Sequence, residues 1–288
     1  MTTITHTRLA SLRACPRQHW MRYDLGLRRT EEPEYLSFGR AWHAAVLSGP
    51  SAFDHLHPAA ATMGRALLAS YPPVSLIAAE VPFAFPVGSD SWEGVLDGIA
   101  EQDGRLLLVE RKTSSEDIAP SADYWNRLQI DQQISGYMIA ARRLGYPVEG
   151  ILYDVVRKPA LRLLLATPAE KQKRTKAGTL YANQREADET IPEFYARLDT
   201  AIRESPATYY QRIVLGRMDA DLAAFTQEQA WQVEHLHRVH DTGHHFRNTG
   251  ACGFCAYLPI CHLNTLAEST PVGYVRTEDF HPELPVRG

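Results

Sequence analysis

An acidic β-hairpin carries the residues that are best placed to do chemistry. Asp103-Gly104 separates two apolar runs, and this dipeptide is typical of two-residue hairpin turns. A turn at these residues places Asp97 directly opposite Glu110. Directly opposed Cβ atoms lie roughly 4.5–5.5 Å apart, so the two carboxylates repel each other unless a cation lies between them. The spacing therefore predicts a site for a divalent cation.

A lysine completes this group. Lys112 follows Glu110 by two residues, and strand side chains alternate, so both are expected on the same face as Asp97. Two carboxylates suit Mg²⁺ or Mn²⁺, and a nearby lysine can stabilise a phosphate or orient a water. The pattern indicates phosphodiester hydrolysis. The alternative is a surface hairpin with an ordinary Glu–Lys pair, but the adjoining LLLV run favours a buried strand.

The cysteines form the second group. There are four in 288 residues, namely Cys15, Cys252, Cys255 and Cys261. They are too few for a disulfide framework, and in a reducing compartment their spacing indicates metal or redox chemistry. Five histidines between residues 235 and 245 could also bind metal or DNA, although a solvated helix end explains them as well.

The composition is that of an ordinary globular protein. Hydrophobic residues make up 44%, charged residues 22%, and the net charge is −4. No apolar run approaches the roughly 18 residues of a membrane-spanning helix, and the N-terminus has no apolar stretch typical of a signal peptide. We therefore expect a cytoplasmic chain without a membrane partner.

Two basic segments stand out from the acidic background. Residues 1–29 contain six arginines against one aspartate, a charge of +5, and residues 157–176 contain seven lysines and arginines against one glutamate, a charge of +6. Such segments can attract phosphates. The alternative is a set of solvated helix faces and a flexible loop.

The elements that must position these residues follow from hydrophobic periodicity and breakers. Helices are predicted at 7–23 with a break at Cys15-Pro16, and at 36–48, 60–70, 122–144, 189–204 and 219–241. Strands are predicted at 76–85, 92–100, 105–112, 150–157 and 208–216. This order suggests a mixed α/β core.

Four motifs in this order resemble the RecB-like branch of the PD-(D/E)XK nuclease superfamily. They are Gly39 and His43 in FGRAWH, Asp97 in GVLDG, Glu110 and Lys112 in VERK, and Gln133 and Tyr137 in QISGY. The resemblance implies a restriction-endonuclease-like α/β core, a small mixed sheet flanked by helices. It implies one domain over residues 1–263, followed by an irregular tail at 264–288.

The resemblance also implies roles for these residues. His43, Asp97 and Glu110 would bind the metal, with Asp97, Glu110 and Lys112 forming the catalytic set. Gln133 and Tyr137 would lie one helical turn apart and face the DNA. Leu96 departs from the proline of the family motif. Taken singly, His43 is also explained as a packed histidine and Tyr137 as a core aromatic.

The cysteine spacing is similar to that of iron–sulfur RecB-like nucleases, namely AddB-type subunits and CRISPR-adaptation nucleases. In those proteins one cysteine before the nuclease motifs and three after them hold a 4Fe-4S cluster. The resemblance implies that Cys15, Cys252, Cys255 and Cys261 do so here and tie the N-terminal helix to the C-terminal loop. Zinc and four buried, unligated cysteines remain alternatives.

The implied function is a Mg²⁺- or Mn²⁺-dependent DNA nuclease, with exonuclease activity expected, in recombination, repair or CRISPR adaptation. Its expected partners are single-stranded DNA or duplex ends, together with a helicase, a recombinase or a CRISPR-adaptation protein. No P-loop motif is present. The alternatives are a non-catalytic module that binds DNA ends or a helicase, and an iron–sulfur redox enzyme, for which no second cofactor motif is found.

Overall fold

The computed structural model describes residues 2–31, 34–48, 58–68 and 71–284. Its strands are β1 (Thr3–Ile4), β2 (Leu27–Arg29), β3 (Leu76–Val87), β4 (Asp90–Gln102), β5 (Arg105–Ser114), β6 (Gly150–Arg157), β7 (Tyr210–Leu215) and β8 (Tyr274–Arg276). Its α-helices are α1 (His6–Ala14), α2 (Pro16–His19), α3 (Glu34–Ser48), α4 (Pro58–Leu68), α5 (Asp123–Leu128), α6 (Gln132–Arg143), α7 (Ile191–Glu204), α8 (Pro206–Tyr209) and α9 (Asp219–Thr242). A π-helical turn, Trp20–Asp24, follows α2.

A mixed sheet forms the centre of the molecule. Its strand order is β1-β4-β5-β6-β7, and β3 pairs with the other edge of β4. The β5–β6 and β1–β4 pairs are parallel, whereas β3–β4, β4–β5 and β6–β7 are antiparallel. The prediction of a mixed α/β core with a small mixed sheet is confirmed.

Helices cover both faces of this sheet. Consecutive strand residues point to opposite sides, so apolar residues of one strand pack against helices on both faces. Val155 packs in a cluster with Ile134 and Met138 of α6. The next residue, Val156, packs in a second cluster with Trp42 of α3. Helix α9 contacts α6 on the first side, and α4 contacts α3 and α7 on the second.

The β4–β5 hairpin has the predicted turn and register. Asp103 and Gly104 both have positive φ, 54° and 73°, as a type I′ turn requires. Pairing runs from Gln102 and Arg105 as far as Gly98 and Val109. Beyond that pair the two strands separate, while β5 continues along β6 to Ser114. We call this divergence the fork.

The long helix predicted at 122–144 is two helices in the structure. Helix α5 ends at Leu128, and α6 begins at Gln132. Asp131 lies between them as the N-cap of α6, where its carboxylate accepts the Ile134 N–H at 3.0 Å. The continuous helix was wrong because a side-chain cap competes with helix continuation, and the hydrophobic period does not show this.

The C-terminal segment, predicted to be irregular, contains one short strand, β8, and its other described residues form turns and irregular backbone. Within it, β8 pairs antiparallel with β2 near the N-terminus. Leu266 and Tyr274 are buried in a cluster with Met21 and Leu27. The tail is therefore part of the core around the N-terminal helices, and the boundary at 263 does not separate it. Within the described ranges, no helix combines the length and apolar content that a membrane crossing would need.

Candidate active site and cysteine cavity

The fork holds the two carboxylates and the lysine of the predicted hairpin. Asp97 is the first residue of β4 beyond the paired region, and Glu110 is its counterpart on β5. The Asp97 Oδ2 atom accepts the backbone N–H of Arg111 at 2.8 Å. The side chain of Asp97 is a quarter exposed, so the fork opens to solvent on this side.

Glu110 is buried and paired with Lys112. Its Oε1 lies 2.5 Å from Lys112 Nζ, and its side chain is 3% exposed. Burial raises the pKa of Glu110 to about 7, although the Lys112 ammonium acts in the opposite direction. Burial also opposes the charge on Lys112, yet the Glu110 and Asp97 carboxylates hold its pKa above the usual value. The other Glu110 oxygen, Oε2, is buried without a hydrogen-bond partner in the described part of the chain.

Helix α3 brings His43 to the opening of the fork. Its Nδ1 lies 3.9 Å from Asp97 Oδ2. Burial lowers the pKa of His43, with Asp97 acting against this shift, so the imidazole is mainly neutral at pH 7. Gly39, one turn earlier, faces β5, and a Cβ there would lie 3.2 Å from Thr113 Oγ1. The glycine permits the close helix–strand approach that positions His43.

Helix α6 places Gln133 and Tyr137 beside the fork. The Tyr137 hydroxyl hydrogen-bonds with Gln133. Burial raises the pKa of Tyr137 to about 12, and the Glu110 carboxylate adds to the shift. The preceding Gly136 allows α6 to pack closely on α9, because a Cβ there would lie 3.0 Å from the Phe225 ring. These contacts bring both residues near the site and leave their DNA-binding role a prediction.

Neighbours that the motifs did not reveal contribute to the site. Tyr153 pairs with Glu110 across β5 and β6, and its hydroxyl lies 2.8 Å from that of Tyr124. Burial lowers the pKa of His6, at the start of α1, to about 4. The Asp131 carboxylate opposes this shift, and the Lys112 ammonium adds to it. The parallel β5–β6 register could have indicated Tyr153, whereas His6 is remote in sequence and carried no signal.

The predicted metal ligands do not form a ready-made three-ligand group. In the described ranges, no three His, Cys, Asp or Glu side chains are spaced to hold one metal ion. Glu110 Oε2 is nevertheless a buried acceptor that lacks a donor among the described residues. Buried carboxylate oxygens are stabilised by a donor or a cation, so this atom fits a divalent ion at the fork.

All four cysteines line one cavity of about 230 Å³. Cys15 is buried, the other three are half-buried, and all are free thiols. Among the described residues that line the cavity there is no aspartate or glutamate, whereas Arg247 is present. The Arg247 guanidinium donates to the Cys261 carbonyl at 3.0 Å, and the Asn248 N–H donates to Cys15 Sγ at 3.4 Å. Residues far apart in sequence thus meet around one space.

The histidines before these cysteines have structural contacts. His237 Nε2 lies 2.6 Å from Asp90 Oδ2, and His245 stacks on Trp20 with ring centroids 5.2 Å apart. These two contacts tie the end of α9 and the following loop to β4 and to the N-terminal helices.

Comparison with known families points to the same superfamily as the sequence motifs. A family model of the PD-(D/E)XK nuclease superfamily matches residues 3–66 and 47–262. The chain belongs to the PD-(D/E)XK nuclease superfamily. Nucleases of this superfamily generally use divalent metals, and the matched residues include both arms of the fork.

Other comparisons with this PD-(D/E)XK protein are less informative. No curated protein matches the chain. Eight chains of solved structures match, among them the crystal structure of SSO0001 at 17% identity. That match covers 72% of this chain and 79% of the other, with a TM-score of 0.27.

Proposed function

We propose that this PD-(D/E)XK protein is a Mg²⁺- or Mn²⁺-dependent DNA nuclease of the RecB-like branch. The observation that carries the proposal is the fork. Asp97, Glu110 and Lys112 converge where β4 and β5 separate, and Glu110 Oε2 is buried without a donor in the part of the chain that the structure describes. Asp97, Glu110 and His43 would hold the ion, which would stabilise negative charge on a phosphodiester.

The protein's own groups have separable tasks in this proposal. The Lys112 ammonium keeps its charge beside Glu110 and can stabilise the charge that develops on the phosphate. The Arg111 N–H donates to the Asp97 carboxylate and would orient it toward the ion. Gln133 and Tyr137 present an amide and a hydroxyl next to the lysine and would position the strand.

The test is cleavage of end-labelled and circular DNA with and without Mn²⁺. Asp97→Ala and Lys112→Ala are expected to abolish cleavage and to leave the protein folded. Asp103→Asn, at the hairpin turn, is the matched control, because asparagine tolerates positive φ. Metal-dependent cutting that survives in purified Asp97→Ala would overturn the proposal.

The same assay separates the finer alternatives. An exonuclease degrades linear DNA and spares circles, whereas an endonuclease opens circles. DNA binding without cutting by the wild type would favour the non-catalytic module that binds DNA ends. The assay does not depend on a helicase, a recombinase or a CRISPR-adaptation partner, each of which stays a proposal.

We further propose that the cysteine cavity holds a 4Fe-4S cluster. Thiolates are the ligands of such clusters, and all four thiols of the chain line this space. Zinc–sulfur bonds of about 2.3 Å would require a compact tetrahedron, so a cavity of about 230 Å³ suits a larger group. Arg17 is charge-coupled to Cys261 and Cys15, and with Arg247 it would offset the cluster's negative charge.

The cluster is tested by metal analysis and visible absorption after anaerobic purification. Iron and sulfide with an absorption band in the wild type, both lost in Cys255→Ala, are expected. Zinc in place of iron would support the zinc site instead. Four unmodified thiols without metal would contradict both.

A further inference from the structure

The two basic segments of the sequence have different fates in the fold. In the N-terminal segment, Arg8 donates to the Thr3 carbonyl at 2.9 Å, and Arg17 donates to the Leu263 carbonyl at 2.9 Å. Arg28 donates to the Phe280 carbonyl at 3.1 Å, and Arg13 donates to Gln232. Four of the six arginines of this segment thus hold the protein together. Arg8, Arg17 and Arg28 are poorly placed to form a surface for phosphates, whereas Arg13 stays exposed.

The second segment belongs to an ordered arm, residues 158–190, that connects β6 to α7. Its middle part folds back on itself. The Thr175 N–H donates to the Thr179 carbonyl at 2.7 Å, and the Tyr181 N–H donates to the Lys173 carbonyl at 3.2 Å. Gly178 completes the turn with a φ of 84°. We call residues 158–190 the basic arm.

The base of the arm is fastened to the body of the protein. The Glu189 carboxylate accepts the Leu164 N–H at 3.0 Å and pairs with Arg197 of α7 at 2.7 Å. The Thr167 N–H donates to the Arg185 carbonyl at 2.9 Å, joining the two sides of the arm. The arm is therefore built before any ligand arrives, which lowers the entropic cost of binding.

Three lysines of the basic arm project into solvent. Lys171, Lys173 and Lys176 are exposed, and within the described ranges their ammonium groups have no ion pair. The nearby arginines differ, because Arg174 pairs with Glu186 at 2.8 Å and Arg185 lies 3.9 Å from Glu193. These three lysines are therefore exposed cations that are available to a partner.

The arm starts at the carboxyl end of β6, beside the carboxyl end of β5, the strand that carries Glu110 and Lys112. Strands β5 and β6 are parallel, and Arg157 pairs with Ser114, two residues beyond Lys112. The Lys158 N–H donates to the Ser114 carbonyl at 2.7 Å. The β4–β5 turn, with Arg105, lies at the opposite end of β5.

We propose that Lys171, Lys173 and Lys176 bind the phosphate backbone of the DNA that enters the fork. The proposal rests on the proposed function for the fork's occupant. Lysine ammonium groups act as point charges toward phosphates and carry no bidentate base recognition. The arm would therefore hold DNA of any sequence, with an affinity that falls steeply with salt.

The test compares three proteins: the wild type, Lys173→Gln/Lys176→Gln, and the control Arg105→Gln/Arg143→Gln. Both variants lower the net charge by two, but Arg105 and Arg143 lie away from the arm, at the turn and at the end of α6. Affinity for a short fluorescein-labelled duplex is measured in EDTA over a range of KCl concentrations. The slope of log K against log[KCl] is then compared.

The lysine variant is expected to lower this slope by about 1 for each lost phosphate contact, about 2 in all, with uniform weakening across DNA sequences. The arginine control is expected to keep the wild-type slope. Equal slopes in all three proteins, or no DNA binding by the wild type, would overturn the arm proposal. Cutting by the wild type with Mn²⁺ is scored separately, so a failed nuclease assignment is distinguishable from a failed arm.

Discussion

Glu110 is buried beside Lys112 and keeps one carboxylate oxygen free of hydrogen bonds among the described residues. Such an arrangement is costly, since a buried oxygen without a donor loses its hydration and gains little in return. The lost hydration of this oxygen is compensated by a bound group, or the folded protein is less stable. At the residue scale, this orphaned oxygen distinguishes the fork from an ordinary surface Glu–Lys pair.

His19 supplies a pH prediction at the residue scale. It is 1% exposed, and burial lowers its pKa to about 3, with the Arg8 charge adding to the shift. The unfolded chain therefore binds a proton near pH 6.5 that the folded protein rejects. The free energy of unfolding is expected to fall by up to about 1.4 kcal/mol per pH unit as the pH drops below 6.5 toward 3.

Urea unfolding of wild type, His19→Gln and the exposed control His235→Gln across this range checks the prediction. His19→Gln is expected to flatten the dependence by up to about 1.4 kcal/mol per pH unit, whereas His235→Gln keeps the wild-type dependence. An unchanged dependence in His19→Gln would show that other groups cause the acid sensitivity.

At the scale of elements, the fork arises because β4 pairs with two different strands, β1 and β5, along the same edge. Strand β1 pairs with β4 at Ser91 and Trp92, and β5 pairs with it from Gly98 onward. The stretch between them, which ends at Asp97, has neither strand beside it. Polar side chains can occupy that opening, and α3 and α6 bring His43 and Tyr137 to it.

The N-cap of α6 gives a prediction at this scale. Asp131 begins the helix that carries Gln133 and Tyr137, and its carboxylate satisfies the Ile134 N–H. Asp131→Ala is expected to lower the free energy of unfolding by about 1 kcal/mol, because the N–H loses its acceptor. Asp131→Asn keeps an acceptor and is expected to cost less than half as much. Equal losses in urea unfolding would assign the effect to the charge instead of the cap.

At the scale of the whole molecule, the two ends of the chain are joined by protein contacts as well as by the cysteine cavity. Strand β8 pairs with β2, and the Tyr257 hydroxyl donates to the Leu27 carbonyl at 2.8 Å. A metal cluster would therefore reinforce a connection that already has an apolar core. Loss of the cluster is expected to weaken the terminal assembly and to leave the sheet intact.

Leu266 provides the test of this terminal core. It is fully buried, so Leu266→Ala is expected to cost about 2–5 kcal/mol of unfolding free energy through lost contacts and a cavity. Val272, six residues later, is fully exposed, and Val272→Ala is expected to change stability by less than about 0.5 kcal/mol. Similar small effects in thermal and urea unfolding would mean that the segment after residue 263 is dispensable.

The sequence by itself determined the features that depend on local chemistry. The Asp103-Gly104 turn and the register from Arg105 to Val109 follow from turn preferences and strand alternation, and the break at Cys15-Pro16 follows from proline geometry. The four motifs, in their order, resemble those of the PD-(D/E)XK superfamily, and the family match confirms the superfamily. These inferences needed no knowledge of distant contacts.

Only the tertiary structure decided which partners those residues meet. The separation of β4 from β5 beyond Gly98, the pairing of β8 with β2 and the internal use of the N-terminal arginines depend on residues far apart in sequence. A basic residue looks the same in the sequence whether it donates to a partly buried carbonyl, as Arg17 does, or projects into solvent, as Lys176 does. Packing makes that distinction, because it alone sets which charges remain hydrated.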